Sequence, residues 1–261
     1  MKYGFLGCGN MGGAIATALS MATKDIYICD RSGKAKTLAE RLGITYTDVL
    51  TVVNSCDALF LGVKPQNMAD TLQPLKETIC AKKPLIISMA AGIELNTLEN
   101  LLGSPLPMIR IMPNTPVAVG NGMTLYCANE FVTAIQKETF LADMAYTGKM
   151  DEIPEGLIDA AGVVSGCGPA YIYLFAEALA DGAVACGVPR KNAIEYAAAT
   201  LMGAGKMLIE TQQHPSTLKD AVCSPGGSTI AGLNVLEERA FRGAIIDCVK
   251  ASFKRNQELG K

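Results

Sequence analysis

The 261-residue sequence has little of several residue types that mark particular classes of protein. It contains no tryptophan, one histidine and only 18% charged residues, among which 23 basic and 25 acidic side chains nearly cancel. Without a basic excess or a run of five like charges, the sequence predicts no nucleic-acid partner. A single histidine and the lack of clustered thiols also argue against a metal site.

The nine cysteines are scattered at intervals of 19 or more residues, without a Cys-x-x-Cys pair. This pattern indicates that the cysteines are reduced and serve as small apolar residues of an intracellular protein. The uncharged stretch from Tyr3 to Thr23 superficially resembles a signal peptide, but five glycines interrupt it. Another uncharged stretch, Ala160 to Ala176, is expected to be too short and too broken by glycines and Pro169 to span a bilayer. The sequence therefore predicts a cytoplasmic protein without a membrane partner.

Up to about residue 150, the sequence alternates short apolar runs with helical patterns. Apolar residues at helical spacing occupy segments such as Met11 to Met21, Ser32 to Leu42 and Glu130 to Tyr146. Strands that alternate with helices form crossover units and a parallel sheet covered on both faces. The strand candidates are residues 3–6, 25–29, 58–63, 84–88, 108–112 and 123–127.

After residue 150 the alternation stops, and the remaining sequence is predicted to be helical over 169–186, 190–210, 214–222 and a final pair broken near 239–242. The chain is thus predicted to be α/β, with a doubly wound domain over 1–150 and an all-α domain over 151–261. The 29 residues from Ala160 to Val188 carry only two charges, Glu177 and Asp181. A domain of about 110 residues cannot easily bury so apolar a helix alone, so we expect a second copy to cover it.

A glycine-rich segment follows the first strand candidate and opens the first helix. Gly7 permits a tight turn, Gly9 lets the backbone approach a pyrophosphate, and Gly12 allows close packing of helix on strand. The helix N-terminus adds an anion site. The segment predicts a Rossmann-type dinucleotide-binding domain, the alternative being a glycine-rich turn that binds nothing. The predicted cofactor contacts are Leu6, Gly7, Cys8, Gly9, Asn10 and Met11.

The end of the second strand candidate carries conflicting signals about the cofactor. Asp30 would bond the ribose hydroxyls of NAD and repel the extra phosphate of NADP, whereas Arg31 with Ser32 would receive that phosphate. Asp30 could instead cap the helix that follows it. The sequence therefore predicts NAD(P), with NADPH slightly favoured and NADH as the alternative.

Two further segments follow strands at the carboxyl edge of the predicted sheet, where ligands of doubly wound folds lie. Small residues and proline there let a flat cofactor lie close to the backbone, although Lys64 could equally be a solvated loop lysine. The segment Met112 to Pro116 at the same edge either walls the nicotinamide side of a cleft or forms a structural turn. The predicted cofactor contacts from the two segments are Val63, Lys64, Pro65, Ala90 and Ala91.

A second candidate anion site lies in the helical half. Ser224 can cap, Pro225 suits a first helical position, and Gly226 and Gly227 expose backbone N–H groups at the start of a helix near Ser228. Such a nest of dipoles suits a small carboxylate. A plain turn between helices is the alternative, but two adjacent glycines are a costly way to begin a helix that nothing approaches.

These motifs occur in the order found in the pyrroline-5-carboxylate reductases, and the chain resembles that family over essentially its whole length. The resemblance implies a homodimer or higher homo-oligomer that reduces 1-pyrroline-5-carboxylate to L-proline with NAD(P)H. It implies that Ser224, Gly226, Gly227 and Ser228 hold the substrate carboxylate and that Thr229, as the catalytic residue, bonds the ring nitrogen. It also suggests Glu155 as a substrate neighbour. The motifs that carry it are residues 7–12, 63–65, 88–92, 112–116, 165–171 and 224–229.

Some features leave other interpretations open. Members of the family often carry a cofactor-contacting asparagine where this chain has Asp48-Val49, so the adenosine-side contacts are undetermined. A β-hydroxyacid dehydrogenase would need a catalytic lysine, for which Lys206 is a candidate without an obvious partner. A non-enzymatic NADP(H) sensor would leave residues 224–229 without a purpose. His214, before Pro215, is predicted to cap or pack at a helix start rather than to act as an acid.

Overall fold

The computed structural model describes residues 1–30 and 33–259 of the chain. The predicted phosphate contacts Arg31 and Ser32 therefore lie outside the described residues. Contacts between residues divide the chain into two compact units, Met1–Pro169 with Phe253–Lys261 and Ala170–Ser252. The first unit holds the sheet and the second is helical.

The first unit is built on an eight-stranded sheet in the order β3-β2-β1-β4-β5-β6-β7-β8. Strands β1 to β6 pair in parallel, β7 is antiparallel to β6, and β8 is parallel to β7. This arrangement confirms the predicted doubly wound fold. The strands are β1 Tyr3–Leu6, β2 Ile26–Cys29, β3 Thr45–Tyr46, β4 Ala58–Leu61, β5 Leu85–Ser88, β6 Met108–Met112, β7 Gly122–Ala128 and β8 Gly148–Glu152.

Two of these strands, β3 and β8, are not among the predicted strands, and there is a physical reason for this. Strand β3 has two exposed residues, and β8 is an edge strand whose sequence Gly-Lys-Met-Asp-Glu lacks a continuous apolar face. Since β8 crosses residue 150, the sheet extends beyond the predicted domain boundary. The first helix that follows, α8 (Glu155–Gly162), also packs in the first unit, where Ile158 is fully buried.

Side chains of the sheet point alternately to its two faces and pack into two separate hydrophobic cores, one on each face. Phe5 and Phe60 stack at 4.4 Å on the first face, while Leu59 and Leu61 point to the second. The other described helices are α1 Asn10–Leu19, α2 Gly33–Leu42, α3 Val49–Ser55, α4 Met68–Leu72, α5 Lys76–Lys82, α6 Leu95–Leu102, α7 Ala134–Asp143, α9 Gly168–Ala185, α10 Arg190–Thr211, α11 Pro215–Ala221, α12 Ser228–Glu238 and α13 Phe241–Leu259. Buried residues of α1, α2 and α7 cover the first face, and those of α3 to α6 and α8 cover the second.

Helix α8 lies along β6 and leads the chain to the carboxyl edge of the parallel strands. Asp159 pairs with Arg110 at 2.6 Å near the start of this contact. Further along, a Cβ atom on Gly162 would lie 3.0 Å from the Met112 side chain, so the close approach favours glycine. The side chain of Asn114 then donates a hydrogen bond to the carbonyl of Ser165 at 2.9 Å.

The helix continues from Glu155 to Ala185 through a π-helical segment, Val163–Cys167. Pro169 has no N–H group for the carbonyl of Ser165, four residues earlier, and Asn114 donates to that carbonyl instead. The prediction that glycines and Pro169 break this segment is therefore wrong. Among the described residues, this helix is long and apolar enough to cross a membrane by length and composition, and little of it is buried in the single chain.

The second unit has a small core of its own. Three alanines, Ala180, Ala193 and Ala197, are buried in it, and the rings of Phe175 and Phe241 lie 6.0 Å apart. Larger apolar side chains remain at the surface, among them Tyr173, Leu174, Met202 and Ile209. So small a core leaves most of the apolar surface of α9 and α10 uncovered within one chain.

The single histidine has the structural role that its position predicts. His214 is the N-cap of α11, and its Nδ1 atom accepts a hydrogen bond from the Ser216 N–H at 3.2 Å. Pro215 occupies the first helical position, where its missing N–H is not needed. The predicted capping role of His214 is confirmed.

We expect Asn114→Ala to lower the free energy of unfolding by about 2 kcal/mol, because it leaves two backbone groups without a partner. The side chain of Asn114 also accepts from the Met123 N–H at 2.9 Å. Asn121→Ala is the matched control, since Asn121 is exposed and the one described hydrogen bond of its side chain goes to the nearby Val119 carbonyl. Urea unfolding of both variants measures the difference, and equal losses would contradict the bridging role.

Candidate cofactor and substrate site

The loop between β1 and α1 is held by close contacts between glycine backbones. Gly7 has a φ of +90° and donates from its N–H to the Cys29 carbonyl at 2.9 Å. A Cβ atom on Gly62 would lie 2.2 Å from the Gly7 carbonyl oxygen, and one on Gly12 would lie 3.0 Å from it. These contacts require glycine at positions 7 and 62 and pack the loop against the end of β4.

Gly9 is different, because no described residue contacts the position that a side chain would take there. It is the N-cap of α1, and a Cβ atom added there would meet no heavy atom of the described residues within 4 Å. As a glycine, Gly9 has no side chain to cap α1, and the first turn of the helix holds no acidic residue. The positive end of the helix therefore faces open space over a backbone without a side chain, which fits the pyrophosphate of a dinucleotide.

Asp30 has a contact that neither predicted role anticipated. Its Oδ2 atom accepts a hydrogen bond from the Cys8 N–H at 2.7 Å, which ties the end of β2 to the glycine loop. Burial, with a smaller contribution from Asp30, raises the pKa of the Cys8 thiol to about 12. Cys8 is therefore a neutral thiol at physiological pH and adds no negative charge beside a phosphate.

Asp48, at the departure from the family pattern, caps a helix. Its Oδ1 atom accepts from the Thr51 N–H at 3.0 Å, and its Oδ2 atom accepts from the Thr51 hydroxyl at 2.6 Å. The hydrogen bonds from Thr51 lower the pKa of the Asp48 carboxyl. The described contacts thus explain Asp48 as the N-cap of α3.

The other predicted cofactor segments begin at the same level of the sheet as the glycine loop. Leu6, Leu61 and Ser88 are register partners at the ends of β1, β4 and β5. The sheet order turns back between β1 and β4, so this edge is the switch point where doubly wound folds bind ligands. Of the residues that follow β4 and β5, Lys64, Pro65 and Ala91 are exposed, Val63 is half-buried and Ala90 is buried.

The segment Met112 to Pro116 is a structural turn in its described contacts. The amide of Asn114 uses its oxygen for Met123 and its nitrogen for Ser165. Pro116 lies in a 3-10 turn, Thr115–Val119. Of the two interpretations that the sequence left open, these contacts favour the structural one.

Arg110 is the most buried charged residue of the described chain, and sequence reasoning missed it. Its side chain is 1% exposed, and its guanidinium pairs with Asp159 at 2.6 Å and with Glu155 at 3.5 Å. The signal was present, because a charge inside the apolar strand Met-Ile-Arg-Ile-Met needs a buried partner. Glu155 also accepts from the Leu95 N–H at 2.8 Å. Its predicted contact with substrate stays a prediction.

In the second unit, Gly226 and Gly227 form the turn before α12. The Gly227 N–H donates to the Ser224 carbonyl at 3.0 Å, and Gly226 has a φ of +67°. Pro225 therefore lies within this turn, and the prediction that it occupies a first helical position is wrong. The predicted cap by the Ser224 side chain is also wrong, because Gly227 is the N-cap of α12 and the Ser224 side chain makes no described hydrogen bond to the helix.

The start of α12 nevertheless keeps the features of an anion site. Gly227 is its N-cap, and Ser228 and Thr229 are exposed in its first turn, which has no acidic residue. A Cβ atom on Gly227 would lie 3.1 Å from the Ser224 carbonyl oxygen, so the close approach favours glycine there. Free N–H groups at a helix start, beside two hydroxyls, can bind a carboxylate.

The glycine loop at the switch point of a doubly wound sheet is typical of a dinucleotide-binding protein. A family model described as pyrroline-5-carboxylate reductase dimerisation matches residues 155–259. A second, described as NADP oxidoreductase, coenzyme F420-dependent, matches residues 2–92. The chain is 39% identical over 266 residues to the pyrroline-5-carboxylate reductase of Escherichia coli (strain K12), an alignment that covers 100% of this chain and 98% of that protein. The chain belongs to the pyrroline-5-carboxylate reductase family.

Solved structures agree with this assignment. The crystal structure of Plasmodium falciparum pyrroline carboxylate reductase with NADP bound matches with a TM-score of 0.90 and 32% identity, covering 100% of this chain and 98% of that one. A pyrroline-5-carboxylate reductase from Coxiella burnetii matches with a TM-score of 0.90 and 33% identity over the same shares. These matches confirm the predicted combination of a Rossmann-type domain and a helical domain.

Substitution by alanine is expected to have different effects at Gly9 and at Gly62, because only Gly62 is in close contact with another backbone. Gly9→Ala should leave the melting temperature of the free protein unchanged and weaken NADPH binding about tenfold or more, because the new methyl group occupies the space proposed for the pyrophosphate. Gly62→Ala should instead lower the free energy of unfolding by more than about 2 kcal/mol, because its methyl group meets the Gly7 carbonyl. Thermal unfolding and NADPH titration test both, and a Gly9→Ala protein with unchanged affinity would contradict the site.

Proposed function

We propose that this chain reduces the C=N bond of 1-pyrroline-5-carboxylate to L-proline with NAD(P)H, the last step of proline biosynthesis. The observation that carries the proposal is that α1 and α12 each begin after a glycine N-cap, Gly9 and Gly227, which has no side chain to cap the helix. The chain is also similar to pyrroline-5-carboxylate reductases over its full length. The first start suits a pyrophosphate and the second a small carboxylate. Such a pair suits a reaction between a dinucleotide and an amino-acid-like substrate.

The two parts of the chain have different tasks in this proposal. Residues 1–150 bind the cofactor through the glycine loop and the segments after β4 and β5, and residues 151–261 bind substrate and form the dimer. NADPH is the favoured cofactor, with NADH as the alternative, because Arg31 and Ser32 can receive the additional phosphate. The NADP in the Plasmodium falciparum structure supports this preference.

The proposed reaction depends more on the orientation of the cofactor and the substrate than on a strong acid or base. The cofactor supplies the hydride, and the protein must hold the nicotinamide and a protonated imine together while it excludes water. Ser224, Gly226, Gly227 and Ser228 bind the substrate carboxylate through the start of α12. The Thr229 hydroxyl then bonds the ring nitrogen and positions the imine.

A second copy of the chain completes the helical half in this proposal. Large apolar side chains are exposed on α9 and α10, including Leu174, which is 68% exposed, and Met202, which is 74% exposed. The family model over residues 155–259 is described as a dimerisation model. We propose a homodimer, or a higher homo-oligomer, that covers these side chains with protein rather than lipid and works in the cytoplasm.

The activity is tested by following the loss of NADPH absorbance with 1-pyrroline-5-carboxylate and identifying proline as the product. We expect turnover with this substrate and none with a β-hydroxyacid and NADP in the reverse direction. Lys206, the candidate lysine for the hydroxyacid reaction, is exposed and pairs with Glu210 at 3.6 Å. Hydroxyacid turnover would overturn the proposal, and NADPH binding without either turnover would favour a sensor.

Thr229→Val is expected to lower kcat/KM for 1-pyrroline-5-carboxylate by about 10- to 100-fold, because it removes the hydroxyl that positions the imine nitrogen. Thr229→Ser is the matched variant, since it keeps a hydroxyl and should retain most of the activity. The NADPH dissociation constant should be the same in all three proteins. A Thr229→Val enzyme with unchanged turnover and KM would exclude this role.

A further inference from the structure

Helix α6 depends on another helix for the cap at its N-terminus. Its own N-cap residue, Glu94, makes no side-chain hydrogen bond to the helix, and the first turn of α6 holds no acidic residue. The Leu95 N–H, the first of the helix, instead donates to Glu155 Oε1 at 2.8 Å. Glu155 is the first residue of α8, 60 residues further along the chain. A carboxylate there satisfies a free N–H and interacts favourably with the positive end of α6.

Arg110 holds the Glu155 carboxylate in place. The arginine is buried on β6 and pairs with two carboxylates of α8, Glu155 and Asp159. The Nε atom of Arg110 makes no hydrogen bond, so its two terminal nitrogens carry the described pairings. Both acids balance the same buried charge, but the described contacts of Asp159 do not include α6.

The start of α6 also ends a loop at the cofactor edge. The loop, residues 89–94, follows β5 and contains Ala90 and Ala91. The hydrogen bonds that its own N–H groups donate are long: Met89 N–H to Leu61 at 3.4 Å, Ala90 N–H to the Ser88 hydroxyl at 3.4 Å, and Ile93 N–H to Ala90 at 3.5 Å. The shorter bond from Leu95 to Glu155 therefore anchors the far end of this loop.

We propose that Glu155 is a positioning residue for the cofactor, which acts by capping α6 and so fixing the loop at residues 89–94. This inference rests on the proposed function, in which Ala90 and Ala91 contact the dinucleotide. It replaces the substrate contact suggested for Glu155 with a contact to the backbone that supports the cofactor. The Glu155 side chain then affects NADPH binding without touching either ligand.

The test compares the NADPH dissociation constants of Glu155→Ala, Glu155→Gln and Asp159→Asn in the full-length protein. Nicotinamide fluorescence, excited directly, reports binding, since the chain contains no tryptophan from which energy transfer could be followed. Loss of the cap in Glu155→Ala should raise the dissociation constant about tenfold. Glu155→Gln keeps an acceptor for the Leu95 N–H but loses the charge, so a rise of about threefold is expected. Asp159→Asn removes a carboxylate from the same arginine but leaves the cap intact, and should stay within about twofold.

A second measurement separates the cofactor from the substrate. At saturating NADPH, the KM for 1-pyrroline-5-carboxylate should be unchanged in all three variants. A raised substrate KM in Glu155→Ala with an unchanged NADPH dissociation constant would overturn the proposal in favour of a substrate contact. An Asp159→Asn effect as large as that of Glu155→Ala would also overturn it, because the effect would then come from Arg110 alone.

Two further comparisons keep the test decisive. If Glu155→Ala does not fold, Glu155→Gln is compared with Asp159→Asn, and a dissociation constant no higher in Glu155→Gln would overturn the proposal. If the unmodified protein fails to bind NADPH or to reduce 1-pyrroline-5-carboxylate, the proposed function itself fails. That outcome is distinct from a functional enzyme in which the Glu155 variants bind NADPH normally.

Discussion

The close contact between Gly7 and Gly62 is the constraint on which the cofactor site depends. Backbone atoms of the β1 and β4 loops meet there, and a single added carbon on Gly62 would lie 2.2 Å from the Gly7 carbonyl. This contact lets both loops leave the sheet at the switch point side by side and presents the start of α1 to open space. A loop with larger residues would separate the strand ends and close the crevice over the helix dipole.

A second constraint is the burial of Arg110 beneath α8. A guanidinium in an apolar strand is tolerated because Asp159 and Glu155 provide opposite charges. The pairing also sets where α8 crosses the sheet, and the contacts at Gly162 and Ser165 follow further along the same helix. Helix α8, which leads into the helical half, is thus positioned by the buried charge of Arg110, by Gly162 and by the side-chain amide of Asn114.

Much of the fold and of the candidate site was predictable from local sequence signals. Mostly apolar runs identified the strands β1, β2 and β4 to β7, and the glycine spacing correctly placed a tight loop between β1 and α1. Short or charged edge strands such as β3 and β8 lack that signal, because only one side of an edge strand pairs. The roles of Pro225 and Ser224 were misassigned, because a turn and a first helical position favour the same residues.

The sequence by itself determined the class of fold, the glycines at the cofactor loop and the turn before α12, because backbone conformation and close approach select residues locally. Only the tertiary structure decided what Asp30, Asn114, Arg110 and Glu155 do. Most of their described partners lie far away in the sequence, from 22 residues between Asp30 and Cys8 to 60 between Glu155 and Leu95, and only Met123 is near, 9 residues after Asn114. A polar side chain at the edge of a buried sheet has several possible partners, and packing alone selects which of them comes within reach.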